Sequence, residues 1–419
     1  MLNHAMQNFF NGCIYISYKQ IITVMLIKVR ILFLVIVFSL IFDLSFAADT
    51  TVSTALTSSD DEIEMSSNDT VTITSSGSII VNDHDEEGLI QLKKNTSNLT
   101  ITNSGTLQIG EYNGVNSQAN QRNVIGAGGT ATNITITNNG VIAASGRVAI
   151  NLAHGEGDIT INNNAGAIIT CVSSSAIGCV YLNGVGGTTA GDIIITNAGT
   201  IIAQGPAHGD PADGGDPALG YNVISHHTLR LTNITGGGTI TVDNSGTIEA
   251  QACCALDFNS TTDAITATNS GTIKSTTTAA VGARGTINFI LNNSGTITGS
   301  GTFHKSGTDD NVRSTIDLSN QGGVTGGTGA TIINSGTIEA SGNDYHAISI
   351  GTGEGGDADG FDNVTITNSG TIAGDQTTGD GVDGHAIRVY GDSSGTTINV
   401  KGEPTFTGGI DLGLTTSFI

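Results

Sequence analysis

Apolar and polar residues alternate with a period of two in ten copies between residues 75 and 372. The form is clearest in Asn363-Val364-Thr365-Ile366-Thr367-Asn368-Ser369-Gly370-Thr371-Ile372. In Val364, Ile366 and Ile372, or Ile134, Ile136 and Ile142, every second residue is apolar and its neighbours are Thr, Ser or Asn. This predicts short strands with one face in a core and the other in water. Each copy is anchored by a glycine: Gly77, Gly105, Gly140, Gly166, Gly199, Gly246, Gly271, Gly295, Gly336 and Gly370. Nine of the ten carry Asn two residues before the glycine, Ser75 being the exception, and all ten carry Ile or Leu two residues after it. Asn and Gly take positive φ most easily, so the Asn-Ser-Gly corner is expected to turn the chain in that way.

The shortest spacings between anchors are 24 to 26 residues. That suits one turn of a parallel β-helix with about three strands, whereas tight hairpins would recur at roughly 8–12 residues. Longer spacings then carry insertions, and residues 148–150, 176–177, 347–350 and 386–389 are candidates for the remaining walls. When coils stack at about 4.8 Å, equivalent side chains lie above one another. Ile273 is therefore expected near Ile248 and Ile297, and the corner asparagines in a hydrogen-bonded ladder. Few aromatics (5 %, no Trp) fit an interior of stacked aliphatic side chains.

At the N-terminus, Lys28 and Arg30 precede an apolar run at residues 31–42, and Ser45-Phe46-Ala47 offers small residues for a signal peptidase. Residues 1–47 thus read as a signal peptide cleaved after Ala47, with Met25 an alternative start, and the run is too short to span a bilayer. Residues 48–66 read as an acidic linker or cap, 67–402 as the β-helix and 403–419 as a C-terminal tail. Removing residues 1–47 takes Lys19, Lys28, Arg30 and Asp43 from totals of 14 basic and 37 acidic residues, leaving 11 and 36 and a net charge of −25. Such a chain repels nucleic acid and anionic lipid.

Candidate chemistry is sparse. Asp357, Asp359 and Asp362, with Asp380 and Asp383, place carboxylates among glycines at a spacing that would wrap calcium, although no tandem nonapeptide repeats. Otherwise no cofactor is expected. Cys171 and Cys179 would bridge a short loop in an exported protein, or fill the interior as small apolar residues. Cys253 and Cys254 are adjacent, and no zinc-type Cys/His spacing is present. Pro206, Pro211 and Pro217 mark a loop between Gly199 and Gly246, and His226-His227 immediately after it would offer a metal only a lone histidine pair in a polar context. Gly391-Asp392-Ser393-Ser394-Gly395 lacks the glycine that should directly follow a protease serine. Arg122, Arg147, Arg230, Arg284, Arg313 and Arg388 are scattered, with no evident acid/base pair beside them.

The Thr-Ile-Thr-Asn-Ser-Gly-Thr-Ile repeats behind a signal peptide resemble the passenger region of bacterial autotransporters, the type V secreted surface proteins of Gram-negative cells with pectate-lyase-like β-helices. The resemblance covers about residues 67–402 and implies an all-β, single-stranded right-handed parallel β-helix of about ten or more coils. It also implies a C-terminal membrane β-barrel. The chain reaches Ile419 without a run of barrel strands, so the resemblance leaves truncation, release or another anchor open. The function expected is that of an exported surface or released structural protein, an adhesin rather than an enzyme, with no membrane span in the mature chain. Its partners would be cell-surface or matrix glycans or proteins, or further copies of itself. The alternative is a carbohydrate-active lyase or hydrolase on the same fold. A cleft with convergent carboxylates and a basic residue on one flank would favour the enzyme, and even faces the adhesin.

Overall fold

The computed structural model describes residues 47–57, 62–81, 88–110, 123–146, 148–153, 155–173, 178–184, 191–204, 227–251, 254–300, 314–319, 327–342, 345–351, 360–375, 384–390 and 393–413. The chain divides into Met1–Ala47 and Ala48–Ile419. The second unit is a right-handed parallel β-helix. Its strands form three sheets of 12, here A, B and C, and each strand pairs in parallel with the third strand on in sequence. The described residues contain no α-helix, and none of them forms a helix long and apolar enough to cross a membrane.

Twelve coils are present among the described residues, and they extend past both limits read from sequence. Asp49–Val52, Ala55–Leu56 and Ile63–Met65 make the first coil where a linker or cap was expected. Thr405–Thr407 and Ile410–Asp411 complete the twelfth where a tail was expected. Strands occur at Val148–Asn151, His346–Ile350 and Ile387–Val389. The candidate at residues 176–177 lies outside the described residues; the strand of that coil is Val180–Asn183.

Alternation explains the walls. In Thr365–Asn368, Ile366 and Asn368 are buried while Thr365 and Thr367 are half-buried, and the pattern recurs through sheets A and B. Stacking is in register: Ile273 pairs with Ile248 and Ile297, as expected. Burying such side chains contributes about 1.5–3 kcal/mol each relative to exposure, and no coil achieves it alone. Rings also enter the interior. Phe258 and Phe289 are fully buried with centroids 5.6 Å apart, and Phe258 has Ala283 beside it in the next coil, so a small residue makes the room.

The A-to-B corner differs from its expected cause. The asparagines do form a buried ladder: Asn103, Asn138, Asn163, Asn197, Asn244, Asn269, Asn293 and Asn334 each donate Nδ2 to the next Oδ1 at 2.8–2.9 Å, ending at Asn368. Gly105, Gly140, Gly246, Gly271, Gly295, Gly336 and Gly370, however, do not have φ in the left-handed region. They are glycine because a β-carbon would collide with the carbonyl oxygen of the corner glycine in the preceding coil. Positive φ occurs instead where the chain enters sheet A, at Asn98 and Asn133 just inside their strands and at Asn288 and Asn363 just before theirs.

Coil 5 carries two extra corner residues, four between its strands where coil 4 has two. Its ladder residue is Asn163 rather than Asn164, and Ile169 points inward while Ile168 is exposed. Here alone among the anchors the glycine, Gly166, has positive φ (80°) and nothing near its missing β-carbon.

The three edges of the coil are unequal. Every A-to-B connection is two to four residues long, whereas the long connections all adjoin sheet C. They separate Ile109 from Asn123, Gln204 from Leu229, Ser300 from Ser314, Ser319 from Thr331, Ile350 from Thr365 and Ala373 from Ile387. The proline-rich loop falls among them and lies outside the described residues.

Candidate functional site

Sheets A and B bury one face each, but much of sheet C is buried on both. Ser314–Ser319 and His346–Ile350 are buried at every position, as are the first three residues of Leu256–Asn259 and Val281–Arg284. Leu256 and Phe258 point into the interior, so Asp257 between them lies on the opposite face. In-register pairing then aligns Tyr181, Arg230, Asp257, Gly282, Asp317, Ser349, Arg388 and Asp411 in one column.

The centre of this column is a charge cluster. Arg230 Nε is 3.2 Å from Asp257 Oδ2, and Arg284 Nη1 is 4.0 Å from Asp257 Oδ1. On its other side, Arg284 Nε is 3.6 Å from Asp317 Oδ2. Both carboxylates are fully buried, and they are paired by charge rather than by well-aligned hydrogen bonds. Gly282 lies between them in the column; its missing side chain leaves space where the Arg284 guanidinium passes.

The environments drive the two carboxyls apart. Burial pushes Asp257 up, but the charges of His227, Arg284 and Arg230 outweigh it and hold this carboxyl below its ordinary value. Burial also pushes Asp317 up, and Arg284 and Ser319 offset only part of that, so it stays raised.

Two further residues reach Asp257. Thr228 N–H donates to Cys254 O at 3.0 Å, which sets His227 and Cys254 side by side in adjacent coils. His227 Nδ1 is 3.4 Å from Asp257 Oδ2, and one ligand atom each from His227, Cys254 and Asp257 lies within 4.8 Å of the others. All three residues are buried. Arg284 Nη2 approaches Cys254 Sγ at 3.6 Å.

A second polar group occupies the same face nearer the last coil. His385 N–H donates to His346 Nδ1 at 2.9 Å, Arg388 lies 4.8 Å over the Tyr390 ring, and His385 and Arg388 each come within 3.9 Å of Asp411.

Arg230 and Arg284 are the residues that sequence reading left scattered; stacking brings them together. Asp257, Asp317 and Cys254 were missed as partners. The signal for Arg230 and the two aspartates was a charge between two apolar residues, as in Leu229-Arg230-Leu231, Leu256-Asp257-Phe258 and Ile316-Asp317-Leu318. Of the calcium candidates, Asp357, Asp359, Asp380 and Asp383 lie outside the described residues. Asp362 Oδ1 accepts from Ser394 N–H and Oγ, both at 2.7 Å. Ser393 Oγ accepts from Phe361 N–H at 3.2 Å. His226 and Cys253 also lie outside the described residues. Of the two readings of Cys171 and Cys179, the bridge is absent and the interior one holds: both thiols are free and buried. Cys171 stacks between Ala144 and Ala203 as a small core residue. Burial, then the neighbouring Cys171 thiol, pushes the Cys179 thiol well above its usual value.

No protein-family model, curated protein or solved structure matches the chain.

Proposed function

We propose that this is an exported, autotransporter-like surface or released structural protein that acts by adhesion or self-association. The carrying observation is the evenness of two of its three faces. On sheet B, Thr200, Thr247, Thr272, Thr296, Thr337, Thr371 and Thr405 stand in register through seven successive coils. On sheet A, Thr70, Thr100, Thr135 and Thr160 do the same through four. Such ranks repeat one hydroxyl and one methyl at about 4.8 Å. Many weak equivalent contacts then sum to avidity, which suits a repetitive glycan or protein matrix or a second copy. The test measures binding of the purified protein to intact cells and matrix glycans, and sedimentation over a wide concentration range. Binding or association weakened by Thr272→Lys with Thr337→Lys is expected. A monomer that binds neither cells nor glycans would overturn the reading.

The second reading, a carbohydrate-active enzyme, is favoured by one observation: Asp257 and Asp317 converge with two arginines on one flank and are pushed apart in acidity, as an acid/base pair requires. Against it, both carboxylates are buried and already paired with arginine. Release of new sugar ends from polyuronates, lost in Asp257→Asn and in Asp317→Asn, would establish it over the adhesin.

A further inference from the structure

We propose that His227, Cys254 and Asp257 form a binding site for a thiophilic divalent cation of the zinc type. This inference stands apart from the adhesive reading and rests on a different face. An imidazole nitrogen, a thiol sulfur and a carboxylate oxygen make a mixed set that suits zinc, and three protein ligands leave a fourth position open. Hard cations such as calcium and magnesium take oxygen ligands, and the sulfur argues against them.

Geometry supports the choice. Ligand atoms held about 2.0–2.3 Å from a tetrahedral centre stand roughly 3.3–3.8 Å apart. His227 Nδ1 and Asp257 Oδ2, at 3.4 Å, already span one such edge. The full set lies within 4.8 Å, so closure needs movements of about 1 Å, within reach of side-chain rotation. The backbone needs no change. His227 and Cys254 are fixed as neighbours by the Thr228 N–H to Cys254 O bond, and Asp257 follows Cys254 by three residues, in the strand Leu256–Asn259.

A second observation points to a ligand. Asp257 is completely buried, yet neither of its oxygens makes a well-aligned hydrogen bond. Arg230 and Arg284 compensate its charge, and a cation bound at Oδ2 would add the directed bond that this pairing lacks. The arginines are compatible with this. Arg284 is held on its far side by Asp317, and Arg230 is partly exposed, so both guanidiniums can yield toward existing partners or water. With Cys254 as thiolate, three negative groups (Cys254, Asp257, Asp317) face two arginines, leaving one negative charge for the cation to meet.

The test uses the full chain, treated with chelator and then titrated with Co2+ and, in competition, Zn2+. Expected are one Co2+ per chain, a near-ultraviolet thiolate-to-cobalt band, visible bands of tetrahedral intensity, and displacement by Zn2+. Cys254→Ser should abolish the thiolate band, while Cys171→Ser, Cys179→Ser and Cys253→Ser keep it. His227→Gln and Asp257→Asn should each weaken Co2+ binding by about tenfold or more, a loss of roughly 1.4 kcal/mol or greater. Failure of the wild-type chain to bind Co2+ with a thiolate band would overturn the proposal. So would a band that survives Cys254→Ser. Should Cys254→Ser fail to fold, unchanged affinity in folded His227→Gln would overturn it equally.

Discussion

Gly271 lies so close to Gly246 that a β-carbon on Gly271 would fall inside van der Waals contact with the Gly246 carbonyl oxygen. The same relation links Gly246 to Gly199 and Gly295 to Gly271. The corner is therefore a column of backbones packed too tightly for any side chain. Overpacking a close-packed interior typically costs about 1–3 kcal/mol, and here backbone rather than a rotatable side chain must move. Gly271→Ala is expected to lower the thermal midpoint clearly.

Gly166 supplies the contrast. Its φ is 80° and its β-carbon position is open, so the requirement there is conformational. Asn tolerates that region of φ, so Gly166→Asn should fold with near wild-type stability, whereas Gly271→Asn should not. Equal losses at both positions in thermal unfolding would contradict the two causes.

Asn269 occupies the middle of the amide ladder, accepting from Asn244 and donating to Asn293, both at 2.8 Å. Its Nδ2 also reaches the Gly271 and Thr296 carbonyls at 3.3 and 3.2 Å. Asn269→Leu removes these bonds and leaves two buried amides short of a partner, at about 1–3 kcal/mol each. Loss of several kcal/mol in denaturant unfolding is expected. The first two coils carry Val52 and Ile73 at the same register position, so apolar stacking there is not itself forbidden. Replacing Asn269 alone should therefore cost more per residue than replacing the whole ladder.

Arg284 bridges Asp257 and Asp317. Removing one partner of a buried ion pair typically costs about 3–5 kcal/mol because the other charge stays buried. Arg284→Met should fall in that range, and adding Asp317→Leu should recover part of the loss. A double variant no more stable than the single would mean that Asp317 is balanced elsewhere.

Acid titration should separate the two carboxylates. Asp257 is held below its ordinary value, so its stabilisation is present above the unfolded value near 3.9 and is lost as pH falls through its lower folded value. Asp317 is raised, so its contribution is full below about 3.9 and is lost as pH rises through its folded value. Thermal midpoints from pH 3 to 8 are the measurement. Asp317→Asn should remove a gain in stability seen on acidifying from neutral pH, and Asp257→Asn should blunt the loss at the acid end.

The period-two alternation, the 24-residue minimum spacing and the recurring Asn and Gly were enough to establish a stacked parallel solenoid, because in-register stacking repeats the same local constraint in every coil. What the sequence left open depends on which residues of different coils meet. The corner glycines look like turn formers locally, and only the preceding coil reveals that they are glycine for lack of space. The two extra residues of the Gly166 corner move the ladder position from Asn164 to Asn163 and the inward position from Ile168 to Ile169, a slip that the local motif conceals. Arg230, Asp257, Arg284 and Asp317 are isolated in sequence because the residues between them make up whole coils. Stacking removes that separation, and the buried charge cluster is a property of the tertiary structure alone.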